Sequence, residues 1–433
     1  MSRAELADAV NAHVWKSSGS SSCLDAETIG RYERGVIRWP RADYRAGLRE
    51  VLGVESDSDL GFHPTPRGRG ALSTPSVGSK ISDERNASSE EIDPVDRRDF
   101  LRTLAATGAG VGLAASLEAL SLELDRRAPT AISEADIAHL ESVATFLMSW
   151  SHIHGGQKMA PTVSAEISRA ATLLDVSCPP RLRSRLFAAV AQLGVSGGTI
   201  LFDAHDHGLS EKILSFATVC AEEAGDWHLR AKALSMRARQ AVWVGDDDAG
   251  LTLAQLGLVR NDRLTATETA MLHTATARAH GRLGNIDETI RAVGAADDAY
   301  ASADRSNDVP WMAYYDDAQH NGDTGHALFE LAVHGMRAEE ATQRLAGAVK
   351  GHTDAYIRSR SFSGFKLATL TMHLGEPERA VAIANAAISD AEGIRSPRLR
   401  RTALEIQPLA ASHQREEPVV DMLGALQKVS SAA

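Results

Sequence analysis

Apolar residues recur at helical spacing through most of the chain, and no convincing run alternates apolar and polar residues with the period of two that a strand needs. Near the start, Leu6, Ala7 and Val10 share one helical face. Residues 11–24 then read as a long turn. A second helix is predicted over residues 25–35. Asp25 can cap it, Glu27 sits in its first turn where a carboxylate suits the macrodipole, Ile29 and Tyr32 face a core, and Gly35 ends it in a left-handed conformation. Pro40 opens a third helix, with Tyr44, Leu48, Val51 and Leu52 as its buried stripe and Leu52-Gly53-Val54 as its close. From Arg97 onward the pattern is helix nearly everywhere, with turns at Gly, Asn or Asp. The clearest hairpin spans residues 366–387. Gly375 makes its turn, and Ala368, Ala380, Ala384 and Ala387 are the small residues where its helices touch. Similar units span residues 272–296, turning at Leu283-Gly284-Asn285, and 232–257, turning at Gly245-Asp246. The turns at 245 and 284 lie 39 residues apart, within the range of paired-helix repeats.

Composition divides this all-α pattern into parts. Residues 1–62 form one helical module. Residues 63–96 place Pro64, Pro66, Pro75 and Pro94 among Ser and Gly, then an acidic Ser-rich run, and read as a disordered linker because they bury too little apolar surface to offset their ordering entropy. Residues 97–128 read as an Ala/Gly-rich helix and residues 129–433 as a helical repeat domain. Aromatics make up 5% of the chain, and abundant Ala suits helices packed closely on one another. A net charge of -11 repels nucleic acid, so any DNA contact must come from a locally basic patch. Cys23, Cys178 and Cys220 are far apart and in no metal spacing, which points to a reducing compartment. The start has no signal-peptide pattern and no stretch reads as a transmembrane run, so a cytoplasmic protein without membrane contact is expected.

The basic patch lies in the N-terminal module. Six arginines fall between Arg31 and Arg49, against Glu33 and Asp43. The order Leu6-Ala7-Asp8-Ala9, Glu33-Arg34-Gly35, Pro40 and Leu52-Gly53-Val54 resembles the XRE-type, lambda-repressor-like helix-turn-helix. By that resemblance, Ala26, Glu27, Thr28 and Arg31 would face base edges in double-stranded DNA, while Arg34, Arg38 and Arg41 would hold phosphates. A solvated charged helix face is the plain alternative for such a charge run. Two departures stand out: residues 11–24 replace a tight turn, and the family has a helix before Leu-Ala-x-Ala that this sequence lacks. The module is therefore expected to leave Leu6 and Ile29 partly uncovered, and either the true start lies upstream or a partner completes its core.

Arg97-Arg98-Asp99-Phe100-Leu101, followed by an apolar Ala/Gly stretch, looks like a twin-arginine export signal. Its place behind the module, with no Met between Met1 and Met148, favours a packed helix in which Gly108, Gly110 and Gly112 allow close contact. The same glycines lack the strand and third small residue of a dinucleotide site.

The C-terminal hairpins resemble tetratricopeptide repeats, whose stacked pairs form a right-handed solenoid with a concave face for a peptide, small-molecule or protein effector. Thr289 stands where a repeat Ala is expected. Pro310-Trp311-x-x-Tyr314-x-Asp316-x-Ala318 resembles a segment of actinobacterial regulators that join an XRE-type module to such repeats. A ligand surface of Trp311, Tyr315 and Asp316 is one reading. A helix start with Trp311 packed on the next repeat is the favoured one. Asp203, His205 and His207, and likewise His152 and His154, have i, i+2 spacing rather than the i, i+4 of a helical metal site. Gly155-Gly156-Gln157-Lys158 lacks the rest of a P-loop. With no catalytic constellation, cofactor or metal motif, the expected protein is a homodimeric DNA-binding transcriptional regulator and not an enzyme. The alternative is an interaction scaffold whose truncated module no longer binds DNA.

Overall fold

The computed structural model describes residues 1–18, 24–33, 37, 40–54, 56–62, 129–413 and 415–431. Among them the protein is helical throughout, apart from one isolated bridge between Ala131 and Ser177. The predicted linker and Ala/Gly-rich helix, with Arg97 and Arg98, lie outside the described residues, as do Cys23, Arg34, Gly35 and Arg38.

The module has three helices: α1 (Arg3–Ser18), α2 (Ala26–Glu33) and α3 (Ala42–Leu52). Residues 11–18, expected to belong to a long turn, instead continue α1, because Val10 and Val14 carry its apolar face one turn further and are both fully buried. The Asn11 side chain then bonds both backbone groups of Leu24, which ties the start of the second helix back to the first. Asp25 caps α2, accepting from the Thr28 amide at 2.7 Å. Ile29 is buried rather than uncovered, in a core with Ala7, Leu24, Tyr32, Tyr44 and Leu48. Tyr44 and Leu48 form the expected stripe of α3, but Leu52 at its end is exposed. Gly53 closes α3 with φ +66°.

The second part starts with α4 (Glu134–His154), α5 (Ala160–Leu173), α6 (Pro180–Asp203) and α7 (His207–Ala224). It continues through α8 (Trp227–Trp243), α9 (Asp247–Leu258), α10 (Ala266–Arg282) and α11 (Ile286–Ala301). It ends with α12 (Asp317–Ala332), α13 (Ala338–Gly351), α14 (Ile357–His373), α15 (Pro377–Ala391), α16 (Pro397–Leu404), the short α17 (Gln407–Ala410) and α18 (Glu417–Ser431). Neighbours in sequence pack as pairs, from α6 with α7 to α14 with α15, and α8, α10, α12 and α14 pack side by side. Left-handed glycines turn the hairpins at 245, 284 and 375, as the sequence predicts. Ala380 and Ala384 of α15 are fully buried, and Ala368 and Ala387 nearly so. Thr289, in place of a small Ala, is satisfied by donating its hydroxyl to the Asn285 carbonyl. α6 is long and apolar enough to cross a membrane, yet 83% of that stretch is buried inside the protein.

The two ends of the array meet. Gln157 N donates to the Arg395 carbonyl and Arg395 N donates to the His154 carbonyl, at 3.1 and 2.8 Å. This joint needs the two glycines of Gly155-Gly156-Gln157-Lys158. Gly155 has φ +79°, and a Cβ on it or on Gly156 would stand 2.4 Å from the Arg395 carbonyl oxygen or 2.3 Å from that of Ile200. Asp203 seals the joint from inside, accepting from Gly156 N, Arg358 Nη1 and Ser396 Oγ, each at 2.8 Å. Between the joined ends the described helices line a partly open cavity.

Candidate functional site

Two places concentrate chemistry: the contact between module and array, and the cavity. At the contact, α2 lies along the start of α7. Arg31 Nη2 is 3.5 Å from Glu211 of α7, and Asp25 Oδ2 is 3.3 Å from His207 Nε2. Tyr44, fully buried, places its ring on the turn at Gly245, and Arg282 Nη2 reaches the Tyr44 hydroxyl at 3.5 Å. Arg41 stacks on Tyr44, its guanidinium 4.8 Å from the ring centre, and lies 3.8 Å from Asp247. Arg401 of α16 donates to the Leu24 carbonyl at 2.6 Å.

Of the residues predicted to contact DNA, Thr28, Arg31 and Arg41 are therefore turned inward. Thr28 is 1% exposed, the Arg31 and Arg41 side chains keep only 12% and 9% of their surface, and Ala26 and Glu27 are half-buried. A duplex cannot approach α2 in this arrangement, because the major groove must admit the whole helix. Burial pushes the Asp247 carboxyl up to about 6, in spite of Arg41 and Arg282 beside it.

His205, His207 and Asp25 offer ligand atoms within 4.8 Å of one another, a spacing that a zinc-type cation accepts. The His pair is the one considered in the sequence, but Asp203 is engaged with arginines and Asp25 of the module takes its place.

The cavity has a volume of about 420 Å³ and is walled by side chains from α4, α6, α8, α10, α12, α14 and α16. Six cations line it: Lys232, Arg239, Arg278, Arg358, Lys366 and Arg398. Asp203, Asp323 and Glu405 form ion pairs with five of them, and Glu268 and Glu330 act on Lys232 and Lys366. Lys232 is buried and forms no ion pair among the described residues; its ammonium faces the Tyr314 ring at 3.6 Å. Burial and the nearby Arg239 pull the Lys232 ammonium down to about 7. Burial likewise lowers Arg278 to about 10 and Arg398 to about 9, and holds His152 at about 3. Buried polar atoms of lining residues lack a hydrogen-bond partner among the described residues: Arg358 Nε, Arg398 Nε, Trp311 Nε1, Tyr314 Oη, Asp323 Oδ2, and Nδ1 of His152, His326 and His352.

The residues of the sequence-predicted ligand surface separate. Trp311 is half-buried and does line the cavity. Tyr315 is fully buried in the core beside it, 3.2 Å from His320 Nδ1. Asp316 caps α12 by accepting from Gln319 N at 2.9 Å. Sequence reading missed Lys232, Arg239, Asp323, His326, Arg358 and Lys366. A signal was present: Lys232, Met236, Arg239 and Trp243 fall at steps of four, three and four, so charges occupy the inward stripe of a helix.

No family model, no curated protein and no solved structure matches the chain.

Proposed function

We propose that the protein is a DNA-binding transcriptional regulator whose reading helix is held shut by its own helical array. The array is a tetratricopeptide-like solenoid joined end to end, and it acts as the sensor. The observation that carries this reading is the docking of α2, with Arg31 on Glu211 and Asp25 on His207. Supporting it are the three-helix module with a capped second helix and the arginines concentrated there in a chain of net charge -11. Sixty-six residues, 63–128, join the module to the array. The released form acts as a dimer on paired half-sites.

The test is selection of duplexes from a random pool by the full chain and by Glu211→Arg, which repels Arg31 from the array side and leaves the module intact. The expected result is that Glu211→Arg retains specific duplexes more tightly than wild type, with binding that falls steeply with salt. Adding Arg31→Ala should reduce that binding and flatten its salt dependence. If both forms bind every duplex equally and weakly, the module is not a DNA reader, and the interaction-scaffold reading takes its place.

A further inference from the structure

Six cations line one space in which Asp323 is the one carboxylate among the described lining residues, while Asp203, Glu268, Glu330 and Glu405 act on the cations from behind it. Burying an unpaired charge is strongly unfavourable. Each buried donor without a partner adds to that cost. An array whose only task was to hold its own shape would be more stable with Leu or Met at these positions. The charges also converge from distant parts of the chain: Lys232 and Arg239 from α8, Arg278 from α10, Arg358 and Lys366 from α14, and Arg398 from α16. Such an arrangement stabilises something only when an anion is inside it.

The shape and the remaining lining narrow the anion further. The volume falls within the range of small-molecule sites. Backbone bonds between Gln157 and Arg395 bridge one side of the space, which suits a compact ligand better than an extended peptide. Aromatic rings form two groups within the lining. His152 lies against Tyr314 and Tyr356, with ring centres 6.4 and 5.0 Å away. On the other side, Arg398 lies over the rings of Phe202 and Phe362 at 4.4 and 4.6 Å. Trp311 and Tyr314 each present a polar atom with no partner among the described residues. Guanidinium groups bind phosphate oxygens two at a time, and aromatic faces accept a planar ring.

We propose that the cavity is a binding site for a small phosphorylated molecule that carries a planar ring, the chemistry of a nucleotide. Its phosphates meet Lys232, Arg239, Arg278 and Arg398, and its ring lies among the aromatic side chains. This deepens the regulator reading by naming the class of effector, but binding is measured without DNA, so either can fail while the other stands.

The experiment is calorimetric titration of the full chain, at constant ionic strength, with ATP, inorganic pyrophosphate, adenosine and tetraglutamate. ATP should bind most tightly, pyrophosphate more weakly, and adenosine and tetraglutamate not measurably. The deciding variant is Lys232→Met, which keeps the volume and removes the one lining cation with no ion pair among the described residues. Without ligand its melting temperature should rise, because a buried charge is gone. Its affinity for ATP should fall by about tenfold or more. Binding of tetraglutamate in preference to ATP overturns the phosphate assignment in favour of an acidic peptide. Failure of both ATP and pyrophosphate to bind, or a Lys232→Met protein that binds ATP as well as wild type does, overturns the site itself.

Discussion

Tyr44 of the module lies directly on Gly245 of the array, so that a Cβ at position 245 would stand 2.6 Å from Tyr44 Cε2 and 3.4 Å from the Tyr32 hydroxyl. Gly245 also has φ +86°, where a side chain is strained whatever the space. One residue thus serves two ends: it turns the hairpin between α8 and α9, and it forms the floor on which the module sits.

Gly245→Ala should separate these roles. The strain at positive φ costs about 1 kcal/mol and acts on the array alone. The clash acts only while the module is docked, and overpacking of this kind costs about 1–3 kcal/mol. Amide hydrogen exchange should therefore speed up in α2 and α3 by more than in α9. Equal acceleration in all three helices would mean that the contact with Tyr44 contributes nothing to docking.

Docking should also respond to pH through Asp247. The groups that face this carboxylate are Arg41 and Asp43 of the module and Arg282 and Glu330 of the array. Its pKa when docked, about 6, is above the ordinary value of 3.8, so the docked form binds more protons than the open form between those limits. The docked state therefore gains stability as pH falls from 6 towards 4, and loses it as pH rises through that window. Energy transfer between a dye on the module and one on the array should show a larger closed fraction at pH 5 than at pH 7. In Asp247→Asn that difference should shrink, and a full-sized difference in the variant would assign it to other groups.

How much of this was legible beforehand depends on the range of the interaction. Asp25 as a cap, Tyr44 and Leu48 as a stripe, and the left-handed turns at Gly245, Gly284 and Gly375 are local, and their signals sit within one or two helical turns. α1 was cut short because Asn11 and His13 look like turn residues until Val10 and Val14 are seen as one buried face. The docking of α2 was not legible: Arg31 presents the same guanidinium whether it meets a phosphate or Glu211. The cavity lining is spread over more than 250 positions, from Ala144 to Thr402, with no local motif. The charged stripes Lys232-Met236-Arg239-Trp243 and Arg358-Phe362-Lys366 were its compact traces.

Anion binding in the cavity should weaken as pH rises. Lys232 is surrounded by Arg239 on its own helix, Tyr314 and Asp323 across the cavity, and Glu268 of α10. Its ammonium, lowered to about 7, loses its charge between pH 6 and 8, and a bound phosphate would pull that value up. Binding therefore takes up a proton over this range. ATP affinity should fall several-fold from pH 6 to pH 8, against the gain that loss of the last γ-phosphate proton gives, and in Lys232→Met the fall should vanish. An unchanged slope in the variant would place the proton elsewhere.

The cavity and the module contact are joined by two short stretches of helix. Trp243 lines the cavity and lies two residues before Gly245, which supports Tyr44. Arg278 lines the cavity and lies one turn before Arg282, which meets the Tyr44 hydroxyl. An anion that draws Arg278 inward thus acts on the same helix that holds the module. A ligand shifts an equilibrium only by its difference in affinity for the two states, and couplings of this kind are typically about 1–3 kcal/mol. ATP at saturation should then raise the exchange rate of the α2 amides by roughly five- to a hundredfold, and an opened variant such as Glu211→Arg should bind ATP more tightly by the same factor. Arg278→Met should bind ATP more weakly and, at saturating ATP, leave α2 protected. If α2 exchange in wild type stays unchanged at full occupancy, the cavity and α2 are energetically independent, and the signal that opens the module enters elsewhere.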